Sequence, residues 1–267
     1  MKLLRKNVLL TGASGGIGRC LAIELARRGA LIALAGRNEN KLAGIAQQIT
    51  ADGGVAAALP CDLARPDGPS TLFERAVDEL GILDILINNA GLSCFAPLAE
   101  AEDSKLRRLV DVNLTASILL AREVLPAMLQ RGSGQIVNMG SAVGSIGLPR
   151  FAAYSATKFA LRGFSEALRR ELAGSGVGVT YVAPRTTDTP MNTPAMRGFM
   201  AQTGAAMDPP EMVARVVADA IEDDRREVYI GWPERFFVRI NAIAPGLVDR
   251  SLAEQSSKSP GPAGKIA

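Results

Sequence analysis

Histidine is absent from the 267 residues of this chain, which removes the commonest side chain for general acid/base work near neutral pH. Cysteine is scarce. Cys20, Cys61 and Cys94 are odd in number and lack metal or redox spacing, so no metal site is expected and a reducing compartment suits them. Neither sign of charge dominates. Thirty basic and 27 acidic residues leave a net charge of +3, and the basic residues are scattered instead of forming a stripe. That argues against nucleic acid as the principal partner. Also missing is any unbroken apolar run near the ~18 residues of a spanning helix. The N-terminus sets basic residues before an apolar run, but Val8–Leu10 is too short for a signal peptide and leads straight into a glycine turn. The expected compartment is the cytoplasm.

What remains is 48% apolar and 21% charged, the composition of a soluble globular chain, at a length suited to one large domain. Short apolar strands alternate with longer amphipathic helices. Strands are expected at 7–10, 31–35, 55–60, 85–88, 135–139, 177–183 and 227–230, and helices near 16–28, 38–51, 68–80, 103–130, 152–174 and 209–223. Such alternation predicts an α/β fold: a doubly wound Rossmann-type parallel sheet of about seven strands with helices on both faces. Residues 1–254 read as a single dinucleotide-binding and catalytic domain. The remainder, 255–267, is rich in Ser, Pro, Gly and Lys and reads as a disordered tail.

Ligands gather at the carboxyl ends of the strands in such a sheet, and the unusual residues of this chain fall there. The first strand ends in TGASGGIG, the second in Gly36-Arg37 and the third in Asp62-Leu63. The fourth ends in Asn88-Asn89-Ala90-Gly91, the fifth in Gly140-Ser141 and the sixth in Pro184-Arg185. Thr11–Gly18 forms a glycine-rich turn between strand and helix. Its glycines admit a pyrophosphate close to the backbone, and the helix N-terminus supplies free N–H groups and a positive dipole end.

Tyr154 and Lys158 are spaced to project from one helix face. An ammonium on that face is expected to stabilise the phenolate and bring its pKa down from ~10 toward the working range. Ser141 can donate a hydrogen bond to a carbonyl oxygen as it becomes alkoxide-like.

TGASGGIG, NNAG at 88–91, Asn113 in DVNL, Ser141 and Tyr154-x-x-x-Lys158 together resemble the short-chain dehydrogenase/reductase family over roughly residues 5–232. Gly12, Gly16 and Gly18 match the short form of its glycine motif, while Gly12, Gly15 and Gly18 match the extended, epimerase-like form. Chain length, NNAG and a brief C-terminal region favour the short form. The resemblance implies Tyr154 as general acid or base, Lys158 as the tuning lysine that also holds the nicotinamide ribose, and Asn113 as the holder of a relay water. It implies a nucleotide lying along Gly12, Ser14, Gly16, Ile17 and Gly18. Asp62 and Leu63 would meet the adenine and Asn89 the adjoining ribose, with Ala90, Gly91 and Pro184 lining the cleft. Thr189 would hold the carboxamide.

The second strand ends without the acidic residue that accepts bonds from an NAD ribose. Arg37 can instead bind a 2′-phosphate through paired charge-assisted bonds, so NADP(H) is expected ahead of NAD(H). Arg185 stands where the family has glycine, and two readings stay open: a contact to cofactor or anionic substrate, or a solvated side chain. Residues 190–210 occupy the place of a substrate lid, and Met191, Met196, Phe199, Met200 and Met207 suggest a lipophilic substrate. In 232–252, Trp232, Phe236, Ile240, Ile243 and Leu247 recur at near-helical spacing, interrupted by Pro245, among Arg235, Arg239 and Arg250. This segment can cover the pocket, form a subunit interface or lie on a membrane; packing is the expectation adopted.

The sequence thus predicts an NADP(H)-dependent oxidoreductase interconverting a carbonyl and an alcohol on a small molecule. The family's homodimers or homotetramers are expected. The alternatives are an epimerase- or dehydratase-like use of the nucleotide site, or a non-catalytic NADP(H)-binding sensor or scaffold.

Overall fold

The structure, a computed structural model, describes residues 2–203 and 206–258. Seven strands build its sheet: β1 (Asn7–Thr11), β2 (Leu31–Gly36), β3 (Val55–Pro60), β4 (Ile85–Asn88), β5 (Gly134–Met139), β6 (Val177–Ala183) and β7 (Glu227–Tyr229). All pairings are parallel, in the order β3-β2-β1-β4-β5-β6-β7. The chain reverses direction of winding between β1 and β4, so a crevice opens at their carboxyl ends.

Successive side chains on a strand point to opposite faces, and β1 shows how this builds two cores. Val8 and Leu10 pack with Leu21 and Leu25 of α1 (Gly16–Arg27), Leu42 of α2 (Glu39–Ala51) and, from further along the chain, Val213 and Val217. Leu9 faces the other way, into a cluster with Leu72 of α3 (Gly68–Leu80) and with Leu120, Val124 and Leu168. A strand buried on both faces needs this continuous apolar run, which is why no polar residue stands between Asn7 and Thr11 of β1.

The expected helix over 103–130 is three pieces: α4 (Asp103–Val110), a π-helical turn (Asp111–Thr115) and α5 (Ala116–Arg131). Their combined length and hydropathy would suffice to cross a membrane, although charged residues interrupt the apolar run. Leu120, Ala121, Val124 and Met128 are however buried against the sheet, which accounts for the apolarity as core. Beyond it lie α6 (Ala152–Glu171), α7 (Pro194–Thr203), α8 (Pro210–Glu222), α9 (Trp232–Ile243) and α10 (Pro245–Lys258).

The segment 232–252 is two helices, α9 and α10, broken where the sequence places Pro245, whose ring disfavours helical geometry at the preceding residue. One boundary needs correction. The tail expected to be disordered from 255 begins inside α10, which runs to Lys258; 259–267 lie outside the described residues, as do 204 and 205 of the expected lid.

Candidate active site

The glycine turn is shaped by contacts that leave no room for side chains. A Cβ on Gly18 would stand 2.1 Å from the carbonyl oxygen of Gly12, and one on Gly12 would meet Ala90 at 2.7 Å. Gly12 and Gly16 also take positive φ, at 68° and 54°, a region that favours glycine. Gly15, by contrast, faces open space. It is the N-cap of α1, and no side chain caps that helix, so its first N–H groups and the positive end of its dipole point into the opening. Asn89 closes one side, donating from Nδ2 to the carbonyls of Thr11 (3.0 Å) and Gly12 (3.2 Å). The Thr11 hydroxyl accepts from the N–H groups of Asn89 and Ala90, each at 3.0 Å. Thr189 flanks the other side, its Cγ2 lying 3.1 Å from where a Cβ on Gly16 would be.

Further along the same edge, Ser14 abuts Gly36, and Arg37 is exposed with no ion-pair partner among the described residues. Asp62 receives Arg108 Nη2 on both carboxylate oxygens, at 2.9 and 2.8 Å, and the Ala64 N–H on Oδ1. Burial opposes its ionisation, but the hydrogen bonds from Arg108 and Ala64 and the charges of Arg108 and Arg37 hold the carboxyl below its usual range. These residues and the half-buried Leu63 leave an anion-seeking turn and a free guanidinium on one side of the crevice. They fit a dinucleotide carrying a pyrophosphate and an additional phosphate.

On the other side, Ser141 follows β5 and caps a short 3₁₀ turn, accepting on Oγ from the Val143 N–H. Its side chain hydrogen-bonds the Tyr154 hydroxyl. Tyr154 and Lys158 sit one turn apart on α6. Lys158 is 5% exposed. Its ammonium donates to the Met139 carbonyl at 2.8 Å and lies 5.8 Å from the Tyr154 ring centroid. Burial lowers the lysine to about 8. Tyr154 goes the opposite way from expectation: burial pushes it up to about 12, against the smaller downward pull of the Ser141 bond. The expected lowering of the phenol by Lys158 is therefore corrected. The lysine spends its hydrogen bond on Met139, and desolvation of the phenolate dominates.

Asn113 lies in the π-helical turn and is buried. Its Oδ1 accepts from the Leu92 N–H at 2.7 Å, while Nδ2 donates to the Leu92 carbonyl (3.0 Å) and Thr157 Oγ1 (3.1 Å). A Cβ on Gly91 would come within 3.6 Å of Asn113 Oδ1 and 3.8 Å of Lys158 Nζ, so the β4 loop, the π turn and α6 converge there. Pro184 is buried beyond β6, and its carbonyl accepts from the Ala142 N–H next to Ser141. Ile17 packs partly buried against the core from the first turn of α1.

Arg185 settles on neither open reading. Its guanidinium grips Asp208 through Nε (2.9 Å) and Nη2 (2.7 Å) and approaches Glu234 at 3.6 Å, tying the loop after β6 to the far end of the lid and to α9. Within the lid, Met196 and Met200 are buried against Phe151. Phe95, Leu148 and Tyr154 pack around them, and the Phe199 ring lies tilted against Phe95, centroids 5.5 Å apart. Met191 and Met207 are exposed. Residues that sequence reasoning missed include Arg108, Thr157, Asp208 and Tyr181. The Tyr181 ring lies against Gly140 and Gly144, where any Cβ would collide with it, and its hydroxyl donates to the Ser141 carbonyl at 3.5 Å. The glycines on either side of Ser141 were the available signal.

A parallel sheet whose switch-point crevice combines an uncapped glycine turn with a hydroxyl pair over a buried lysine is a nucleotide-binding α/β protein equipped for proton transfer. The short chain dehydrogenase family model matches residues 6–198, and the chain belongs to that family. Ketoacyl reductase HetN from Nostoc is 34% identical over 258 residues, spanning 92% of this chain and 87% of the relative. The 3-ketodihydrosphingosine reductase of Bos taurus is 34% identical over 227 residues, 81% of this chain and 68% of that one. Among solved structures, a metagenomic short-chain oxidoreductase in complex with NADP superposes with a TM-score of 0.73 at 32% identity, over 85% of this chain and 98% of that one. A short-chain dehydrogenase from Sphingobium yanoikuyae in complex with NADPH gives 0.78 at 28% identity, over 91% and 95%.

Proposed function

We propose that this protein is an NADP(H)-dependent oxidoreductase that interconverts a carbonyl and an alcohol on a lipophilic small molecule. The observation that carries the reading is the Tyr154 hydroxyl, bonded to Ser141, above the buried Lys158 and beneath the apolar lid. A bound nicotinamide would supply or take up the hydride. The open N-terminus of α1 would hold the pyrophosphate, Arg37 the 2′-phosphate, and Thr189 and Lys158 the nicotinamide end. The NADP and NADPH complexes of the two structural relatives support this choice.

With its titration pushed up to about 12, the Tyr154 phenol carries its proton at neutral pH, which suits the reductive direction. Ser141 donates to the substrate oxygen as negative charge develops there, and Tyr154 delivers the proton. The Lys158 ammonium, 5.8 Å from the Tyr154 ring centroid, would offset only part of the desolvation cost of the phenolate left behind. Asn113 holds the Leu92 backbone and Thr157 in register with α6, so the lysine stays in place. Met196, Met200, Phe151 and Phe95 exclude water and offer an apolar wall to the substrate. Two relatives named as reductases of keto compounds agree with that wall. The same reading carries the cytoplasmic location and the homodimer or homotetramer implied by the family resemblance.

The test is consumption of NADPH and NADH over a panel of ketones, aldehydes and secondary alcohols. The expected result is turnover of lipophilic keto compounds with NADPH preferred. Activity confined to small charged substrates, or no oxidation of either nicotinamide, would overturn the proposal.

A further inference from the structure

We propose that the outward face of α9 docks on an anionic lipid bilayer. The inner face of this helix is committed to the protein. Val238 is buried, Asn241 Nδ2 donates to the Ser145 carbonyl at 2.9 Å, and Glu234 approaches Arg185. At about 100° per residue, Trp232, Phe236 and Ile243 project within roughly 40° of one another on the opposite side. They are 80%, 58% and 86% exposed. Single exposed apolar residues need no explanation, but an aligned stripe containing the chain's only tryptophan does.

The charges flanking the stripe identify its occupant. Arg235 and Arg239 lie along one border, both exposed and neither with an ion-pair partner among the described residues. Glu234, the only carboxylate of α9, is turned inward. Aromatic and aliphatic side chains bordered by unpaired arginines match the boundary between acyl chains and anionic headgroups. There tryptophan is favoured and each cation gains from the surface potential. A second copy of the chain meeting this stripe by two-fold symmetry would bring arginines toward arginines with no carboxylate from the helix to offset them. The inference is independent of the reaction assigned above, since it needs neither turnover nor cofactor.

Co-sedimentation of the full chain with vesicles of phosphatidylcholine and phosphatidylserine, and with phosphatidylcholine alone, tests it. Binding is expected on the mixed vesicles and much less on the neutral ones. In Trp232→Ala/Phe236→Ala, partition should fall by about tenfold or more. Arg235→Gln and Arg239→Gln should each cost about fivefold. All four changes sit on the outward side, so the thermal midpoint should hold and show that the loss is not unfolding. No binding to the mixed vesicles, or binding unaffected by the aromatic double variant, would overturn the proposal. Light scattering supplies the rival outcome: an oligomer that dissociates on the double substitution, with no vesicle binding by the wild type, assigns the stripe to a second copy and also overturns it.

Discussion

Lys158 rests its ammonium on the Met139 carbonyl, 2.8 Å away, and thereby pins the middle of α6 to the last residue of β5. The lysine therefore fixes where α6 meets the sheet, and its charge is buried in doing so.

Burial of that charge gives stability a specific pH dependence. Lys158 titrates at about 8 in the folded chain against an ordinary 10.5, so between those values the unfolded chain holds more protons and stability rises with pH. Tyr154 acts in the reverse sense. Its folded value of about 12 exceeds the ordinary 10, so its contribution is lost as pH climbs through that interval. Lys158→Met removes the first effect. In denaturant melts, the stability of the Met variant relative to wild type should be greatest below about pH 8 and shrink toward ~10. A difference that does not vary with pH would show that the ammonium is not buried.

Replacing Tyr154 by Phe keeps the ring against Phe151, whose centroid is 6.0 Å away, and removes only the proton carrier. Turnover should drop ~10²–10⁴-fold. NADPH affinity, read by fluorescence titration, should change far less, by about tenfold at most, because no more than one neutral hydrogen bond to the nucleotide can be lost. Retained turnover would rule out the phenol as proton donor.

Arg37 offers an unpaired guanidinium at the end of β2. Arg37→Asp should weaken NADPH by about tenfold to a hundredfold, the range of a lost charge-assisted bond, and leave NADH unharmed. Steady-state KM values for the two nicotinamides decide; a matched loss of both would remove Arg37 from the phosphate site.

Gly15 and Gly18 should part company as alanines. A Cβ on Gly18 collides with the Gly12 carbonyl, whereas one on Gly15 enters open space. Gly18→Ala should lower stability by ~1–3 kcal/mol or more, visible as a lower thermal midpoint. Gly15→Ala should keep the midpoint but weaken nucleotide binding, since its methyl occupies the space into which the α1 N–H groups point.

The strands and the glycine turn were legible because their signals are local: mostly apolar segments of three to seven residues and glycines at fixed offsets. The site's second half was legible through Ser141, Tyr154 and Lys158, which one helix and one strand end bring together. What escaped was long-range partnership. Arg185 finds Asp208 across the whole lid, and Asp62, in the loop after β3, finds Arg108 on α4; no local period marks either pair. The π-helical turn around Asn113 was hidden because one extra residue in a turn leaves the apolar pattern on both sides intact. The direction of the Tyr154 shift was misjudged for a related reason. Helix spacing gives proximity, but only the packed structure shows that the lysine is engaged elsewhere and that the phenol is desolvated.

The strand order separates two jobs. Arg37 follows β2 and Ser141 follows β5, and with β1 and β4 between them the two strands lie three positions apart, about 14 Å. At that separation, and with no shared partner, changes at the two places should combine additively in free energy. Cofactor preference and proton delivery are then independent dials, and a variant retuned for NADH should keep the pH profile of its chemistry unchanged.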